Sequence, residues 1–254
     1  MYGYGYGYGY YGFDWTYVLL IIGMLLSLAA STRLKSTFSY YRKIRSASGL
    51  TGAETAERIL RAAGITDVHV RAISGSLTDH YDPRTKTVSL SEDIYDKTSL
   101  AAVGVAAHEC GHAIQHAIGY APLEFRSAIV PVANFGSTLS WPLFLIGLFS
   151  GIRPLVTAGI VLFSLAVLFQ LVTLPVEINA SSRALKMLQS TGILGSDETK
   201  GARKVLTAAA MTYVAALAAS ILQLLRLLIL AGGRRRDDSW NQYKRNDHGD
   251  PSSD

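Results

Sequence analysis

The sequence predicts a mainly α-helical integral membrane protein. A small polar unit, built on one motif-bearing helix and a small β-hairpin or sheet, is fused to about four transmembrane helices. Three observations carry this. Apolar runs at 15–32, 127–149, 154–175 and 206–231 are long enough and poor enough in charge to cross a bilayer. An uninterrupted helical run from Ser99 to His116 contains the pattern H-E-x-x-H. Between the first apolar run and that helix, short stretches alternate in polarity as strands do.

Composition agrees. Of 254 residues, 49% are hydrophobic and only 17% charged, which suits a membrane protein of one or two compact units. The net charge of +5 does not signal nucleic acid, because Lys and Arg form short flanks beside apolar spans, with no aromatic-interleaved recognition motif. The single cysteine, Cys110, excludes an intramolecular disulfide framework and reads as a small buried packing residue rather than a thiolate ligand.

Residues 1–14 form a Tyr/Gly-rich, low-complexity start expected to be disordered, without the basic region of a secretory signal. Residues 15–32 are the first transmembrane helix. Arg33, Lys35, Arg42, Lys43 and Arg45 follow it, which places the N-terminus outside and the chain from residue 33 onward in the cytoplasm. Residues 33–126 are the expected cytoplasmic catalytic region. Within it, Thr51–Ala63 reads as an amphipathic helix with a Thr or Gly cap, stopping at Gly64. Val68–Ile73 is a strand, Leu77–Arg84 a turn-rich connector, and Thr85–Ser91 a second strand, a candidate edge for holding an extended peptide.

The motif helix, Thr98–Ile118, ends at Gly119 and Pro122. Residues 127–175 form a transmembrane hairpin whose only connection is Ser150–Arg153, and two crossings return the chain to the side it left. Pro175 marks a break before a new helix, Val176–Gln189, within 176–205. Residues 206–232 are the expected fourth span, although Arg203 and Lys204 before it and Arg234–Arg236 after it disagree about its direction. Residues 233–254 read as a disordered tail.

Chemistry concentrates in the motif helix. Residues four apart lie on one helical face, so His108 and His112 can offer two imidazoles to one metal ion. Glu109 lies beside that face, where its carboxylate can act as general base without being a ligand. A buried, unpartnered Glu is expensive, which argues against reading the three as ordinary core residues. The pattern favours a zinc hydrolase with one Zn2+ per chain and a zincin-like catalytic unit.

Two imidazoles do not complete such a site. His116 is about 12 Å from His108 along the helix axis, too far to share one tetrahedral ion. Glu124 is possible but lies in the exit towards the next span. Glu177 is better placed, because it follows the hairpin and returns to the motif's side. It also reads as an ordinary carboxylate at a helix start. On chemistry alone His80, Arg183 and Tyr213 are candidate donors to a developing oxyanion.

The segments DHYDP (Asp79–Pro83), VSLSEDIY (Val88–Tyr95), VAAHECGHAIQ (Val105–Gln115), TLPVEINASSRAL (Thr173–Leu185) and ARKVLTAAAMTYVAA (Ala202–Ala216) resemble the YugP-type neutral zinc metallopeptidases of bacterial membranes. The order of motif helix, two spans and a later E-x-x-A is also similar to the layout of HtpX-type membrane proteases. That resemblance implies a ligand role for Glu177, as in gluzincins. Ser181 stands where that motif carries Asp, which leaves Asn179 or Ser181 to orient a ligand.

The expectation is therefore a multi-pass cell-membrane zinc endopeptidase facing the cytoplasm, with protein or peptide substrates that are membrane-associated or misfolded. The lipid bilayer is its setting, nucleic acid is not a partner, and a membrane protein regulator is conceivable but unidentified. An intramembrane site-two protease would require an Asp ligand from a Leu-Asp-Gly segment, which does not occur. A non-catalytic membrane scaffold with a structural or vestigial zinc site is the alternative from a different class.

Overall fold

The computed structural model describes residues 14–247, with side chains as far as residue 232. The expected disorder of 1–13 and 248–254 falls outside the described residues. Helix α1 (Tyr17–Tyr41) leads into α2 (Gly52–Ala62), strands β1 (His69–Ile73), β2 (His80–Asp82) and β3 (Thr87–Ser91), and then α3 (Leu100–Ala117). Helices α4 (Ala121–Ser150), α5 (Arg153–Ser190) and α6 (Ser196–Asp247) complete the chain. Helices α1, α4, α5 and the 196–232 part of α6 are each long and apolar enough to cross a membrane.

Helix α2 opens on a reciprocal cap. The Glu54 amide donates to Thr51 Oγ1 at 3.1 Å and the Thr51 amide to Glu54 Oε2 at 2.8 Å. Its apolar face, with Ala56, Ile59 and Leu60, packs on α3. The sheet has the order β1-β3-β2, with β1 parallel and β2 antiparallel to β3. The expectation of Thr85–Ser91 as an edge strand is therefore corrected: β3 is the central strand, and every one of its residues is buried. Val88 and Leu90 enter the core while strands on both sides use its backbone hydrogen bonds. The connector expected at Leu77–Arg84 contains β2, a strand too short for alternation to reveal.

Helix α3 is the hub, packed against α2, α5 and α6. Ser99 Oγ caps it by accepting the Ala102 amide at 3.2 Å. At Gly111 a Cβ would lie 2.4 Å from the Ala180 carbonyl oxygen, so only glycine lets α3 and α5 approach this closely. Cys110 is buried, its thiol donating to the Ala56 carbonyl at 3.6 Å, and burial pushes the thiol pKa up.

Helices α4 and α5 form the tight hairpin, turned at Gly151 with φ 73°. Helix α5 then continues through Pro175 without a break, which corrects the expected new helix at Val176. Proline withholds one N–H, but a membrane helix tolerates that when neighbouring turns keep their bonds, and the Thr173 hydroxyl adds one to the Phe169 carbonyl. Helix α6 packs against α1, with Ala219 beside Gly23 and Tyr41 beside Gly201, so the two run antiparallel. Its backbone remains helical to Asp247, beyond the expected start of a disordered tail at 233. No proline occurs between 233 and 247, and extending an existing helix avoids the nucleation penalty.

Candidate active site

His108 and His112 project from α3 and Glu177 from α5 to a common point. Glu177 Oε2 lies 3.3 Å from His108 Nε2 and 3.5 Å from His112 Nε2. One nitrogen or oxygen from each residue falls within 4.8 Å of the others. Ligand atoms about 2.0–2.1 Å from a tetrahedral ion stand roughly 3.4 Å apart, so the two measured separations fit a zinc-sized centre. A nitrogen-nitrogen-oxygen donor set suits the same ion.

Both rings are aimed from behind. Ser181 Oγ hydrogen-bonds His108 Nδ1 at 3.1 Å. Gln115 Oε1 lies 3.0 Å from His112 Nδ1, while the Gln115 amide nitrogen donates to the Val176 carbonyl and to Asn179 Oδ1, both at 2.9 Å. Those two acceptors fix the amide with its oxygen towards the ring. Nδ1 of neutral His112 must then donate, which leaves the Nε2 lone pair for a metal. Arg183 Nε donates to Asn179 Oδ1 at 2.7 Å and its guanidinium lies 5.8 Å from the centre of the Tyr120 ring. Arg183, Asn179 and Gln115 thus form a chain ending on His112.

Glu109 is buried beside the imidazoles. Burial lifts its carboxyl above the ordinary carboxylate range, and the two imidazoles pull the other way. It lines both of two cavities that meet here. One, of about 190 Å³, is the more polar and includes His80, Tyr81, Arg126 and Ser127. The other, of about 180 Å³, reaches Leu34 and Phe38 of α1 and Val205 and Leu206 of α6. Asp79, His108, Glu109, Glu177 and Tyr213 line both.

Among the residues singled out from sequence, His80 borders the polar cavity, its Nδ1 donating to the Thr78 carbonyl at 2.9 Å. Arg183 lines neither cavity, and its guanidinium is occupied by Asn179 and Tyr120. Glu124 is exposed and apart from the His108–His112–Glu177 cluster, and His116 is exposed with its Nδ1 2.9 Å from the Tyr81 hydroxyl.

Sequence reasoning missed Gln115 and Arg126. Gln115 lies three residues after His112, on its face of an otherwise apolar helix, a spacing that signals contact. Arg126 is a charge at the mouth of a hydrophobic span, and its Nη1 lies 3.6 Å from Glu177 Oε1. Asp79 anchors β2 by accepting the Ser91 amide at 2.7 Å and the Ser91 hydroxyl at 3.1 Å.

Imidazoles from one helix, a carboxylate from a membrane-anchored second helix and a buried acid between two cavities are the parts of a zinc metallopeptidase, set here in a membrane protein. Residues 16–232 match the family model described as "Putative neutral zinc metallopeptidase". Over 220 residues the chain is 49% identical to "Putative membrane protease YugP" of Bacillus subtilis (strain 168), covering 86% of this chain and 98% of that protein. The chain belongs to this family of membrane zinc metallopeptidases. No solved structure matches it.

Proposed function

We propose that the protein is a zinc endopeptidase with its active site on the cytoplasmic side, cleaving membrane-associated or misfolded proteins. The observation that carries this is the convergence of His108, His112 and Glu177 at zinc-sized separations, with Glu109 open to both adjoining cavities. One zinc ion held by those three residues supplies Lewis acidity and brings the pKa of water down to about 7.

The protein's own groups supply the rest. Glu109 takes the proton of the attacking water at its carboxylate and returns it to the leaving amine. Burial raises its pKa, which makes the carboxylate the stronger base for taking that proton. Tyr213, lining both cavities, is the donor best placed for the developing oxyanion, with His80 and Arg126 on the polar side. The outer edge of β2, which carries His80 and Tyr81 to the polar cavity, supports an extended peptide lying along it. Basic residues between 33 and 45 support the cytoplasmic placement.

Zinc content per chain and cleavage of an unfolded protein, measured on wild type, Glu177→Ala and Glu109→Gln, test this reading. Wild type should bind one zinc and cleave. Glu177→Ala should lose zinc. Glu109→Gln should keep zinc and lose about 10²- to 10⁴-fold in rate. Tight zinc without cleavage in the wild type would instead support a scaffold.

A further inference from the structure

On the face of the α1–α6 pair away from the active site runs a groove of about 980 Å³, at the upper end of small-ligand pockets. Its two ends differ in chemistry. Leu26, Ala29 and Ala30 of α1 face Met211, Val214, Ala215 and Ala218 of α6 along one half. The antiparallel register brings Arg33, Ser36, Thr37, Tyr40 and Tyr41 to the level of Arg203, Lys204 and Thr207 along the other.

From Leu26 to Tyr41 the groove extends about 22 Å along α1. One leaflet contributes roughly 15 Å of hydrocarbon, which leaves the basic end at the height of the headgroups. Arg33, Arg203 and Lys204 are exposed, and among the described residues none has an acidic partner. Cations commonly flank membrane spans. Here three unpaired ones converge on the mouth of an apolar channel, beside hydroxyls that can donate to phosphate oxygens.

We propose that this groove binds an anionic phospholipid, its phosphate held by Arg33, Arg203 and Lys204 and one acyl chain laid along the alanine-lined half. Charge complementarity selects an anionic headgroup over a zwitterionic one, and the change from basic to apolar lining follows the order headgroup, then tail. An apolar polypeptide segment would leave the three cations without counter-charge at the membrane surface, and an acidic one would not suit the alanine-lined half. The same two helices line the active-site cavity from their other side, through Leu34, Phe38, Val205 and Leu206. A bound lipid therefore braces a wall of the catalytic site.

The test reads binding rather than proteolysis, so it is independent of the proposed activity. Full-length protein in a neutral detergent is titrated with phosphatidylglycerol or phosphatidylcholine, followed by native mass spectrometry and by the thermal unfolding midpoint. Phosphatidylglycerol should bind preferentially, raise the midpoint, and lose roughly five-fold in affinity for each charge removed in Arg33→Gln, Arg203→Gln and Lys204→Gln. These positions are exposed, so the variants should fold. Ala30→Phe, which leaves every charge in place, should block the tail channel and weaken binding as well. Equal binding of the two lipids would overturn the proposal, as would undiminished phosphatidylglycerol binding by the triple variant. Dimers cross-linked through the groove in both lipids would overturn it in favour of a second copy as occupant.

Discussion

Ser181 shows how much one side chain can decide. Its hydroxyl meets His108 Nδ1 at 3.1 Å, the contact that turns the other ring nitrogen towards Glu177. Removing such a partner typically weakens metal binding 10- to 100-fold, so Ser181→Ala and Gln115→Ala should each lower zinc affinity by that order in competition with a chelator. Ser181→Asp should restore it, because a carboxylate accepts the same Nδ1–H more strongly. Asp79 offers a test by pH. Burial, opposed by its bonds to Ser91, raises its pKa, so the folded state holds this proton more tightly than the unfolded chain. Its contribution to stability is fully present below the unfolded value and falls as pH rises through the raised one. In unfolding measurements Asp79→Asn, which keeps an acceptor oxygen, should match wild type in acid and exceed it at neutral pH. The motif histidines were legible in sequence because i, i+4 spacing is a local property. The i, i+3 spacing could have pointed Gln115 to His112, but its link to Asn179 and that of Arg126 to Glu177 could not be read, because those partners are distant in the chain.

At the scale of elements, the long helices were readable because hydrophobicity and length suffice to mark a span. Their continuity was not. Pro175 reads as a stop, yet α5 runs through it and carries the second arm of the hairpin and Glu177 on one rod. The strand order was equally illegible, since alternation reveals which face is buried but not which neighbours a strand takes. The pattern of Thr85–Ser91 therefore does not reveal that β3 is the central strand. The α3–α5 contact at Gly111 gives the prediction that belongs here. Gly111→Ala places a methyl against the Ala180 carbonyl and should destabilise by about 1–3 kcal/mol. Because the two helices carry the proposed ligands between them, zinc affinity should fall in the same variant. A lower unfolding midpoint with unchanged zinc affinity would show that α5 can shift without carrying Glu177 away.

Over the whole molecule, the metal site joins two parts that the sequence suggests separately, a compact unit around α3 and a bundle of membrane helices. Stripping the metal with a chelator should lower the unfolding midpoint, by an amount that grows with the ratio of zinc concentration to its dissociation constant. Hydrogen exchange should accelerate first around Glu177 and in α3, with the α4–α5 turn at Gly151 left as it was. Uniform acceleration would mean that the metal stabilises the bundle globally rather than stitching its two parts. The placement of the hairpin between His112 and Glu177 also has a consequence for the order of synthesis. A growing chain has both histidines long before it has the carboxylate, because both arms of the hairpin must be translated in between. A nascent or truncated chain ending within α4 therefore already carries the membrane helix α1 but lacks part of its hydrolytic centre.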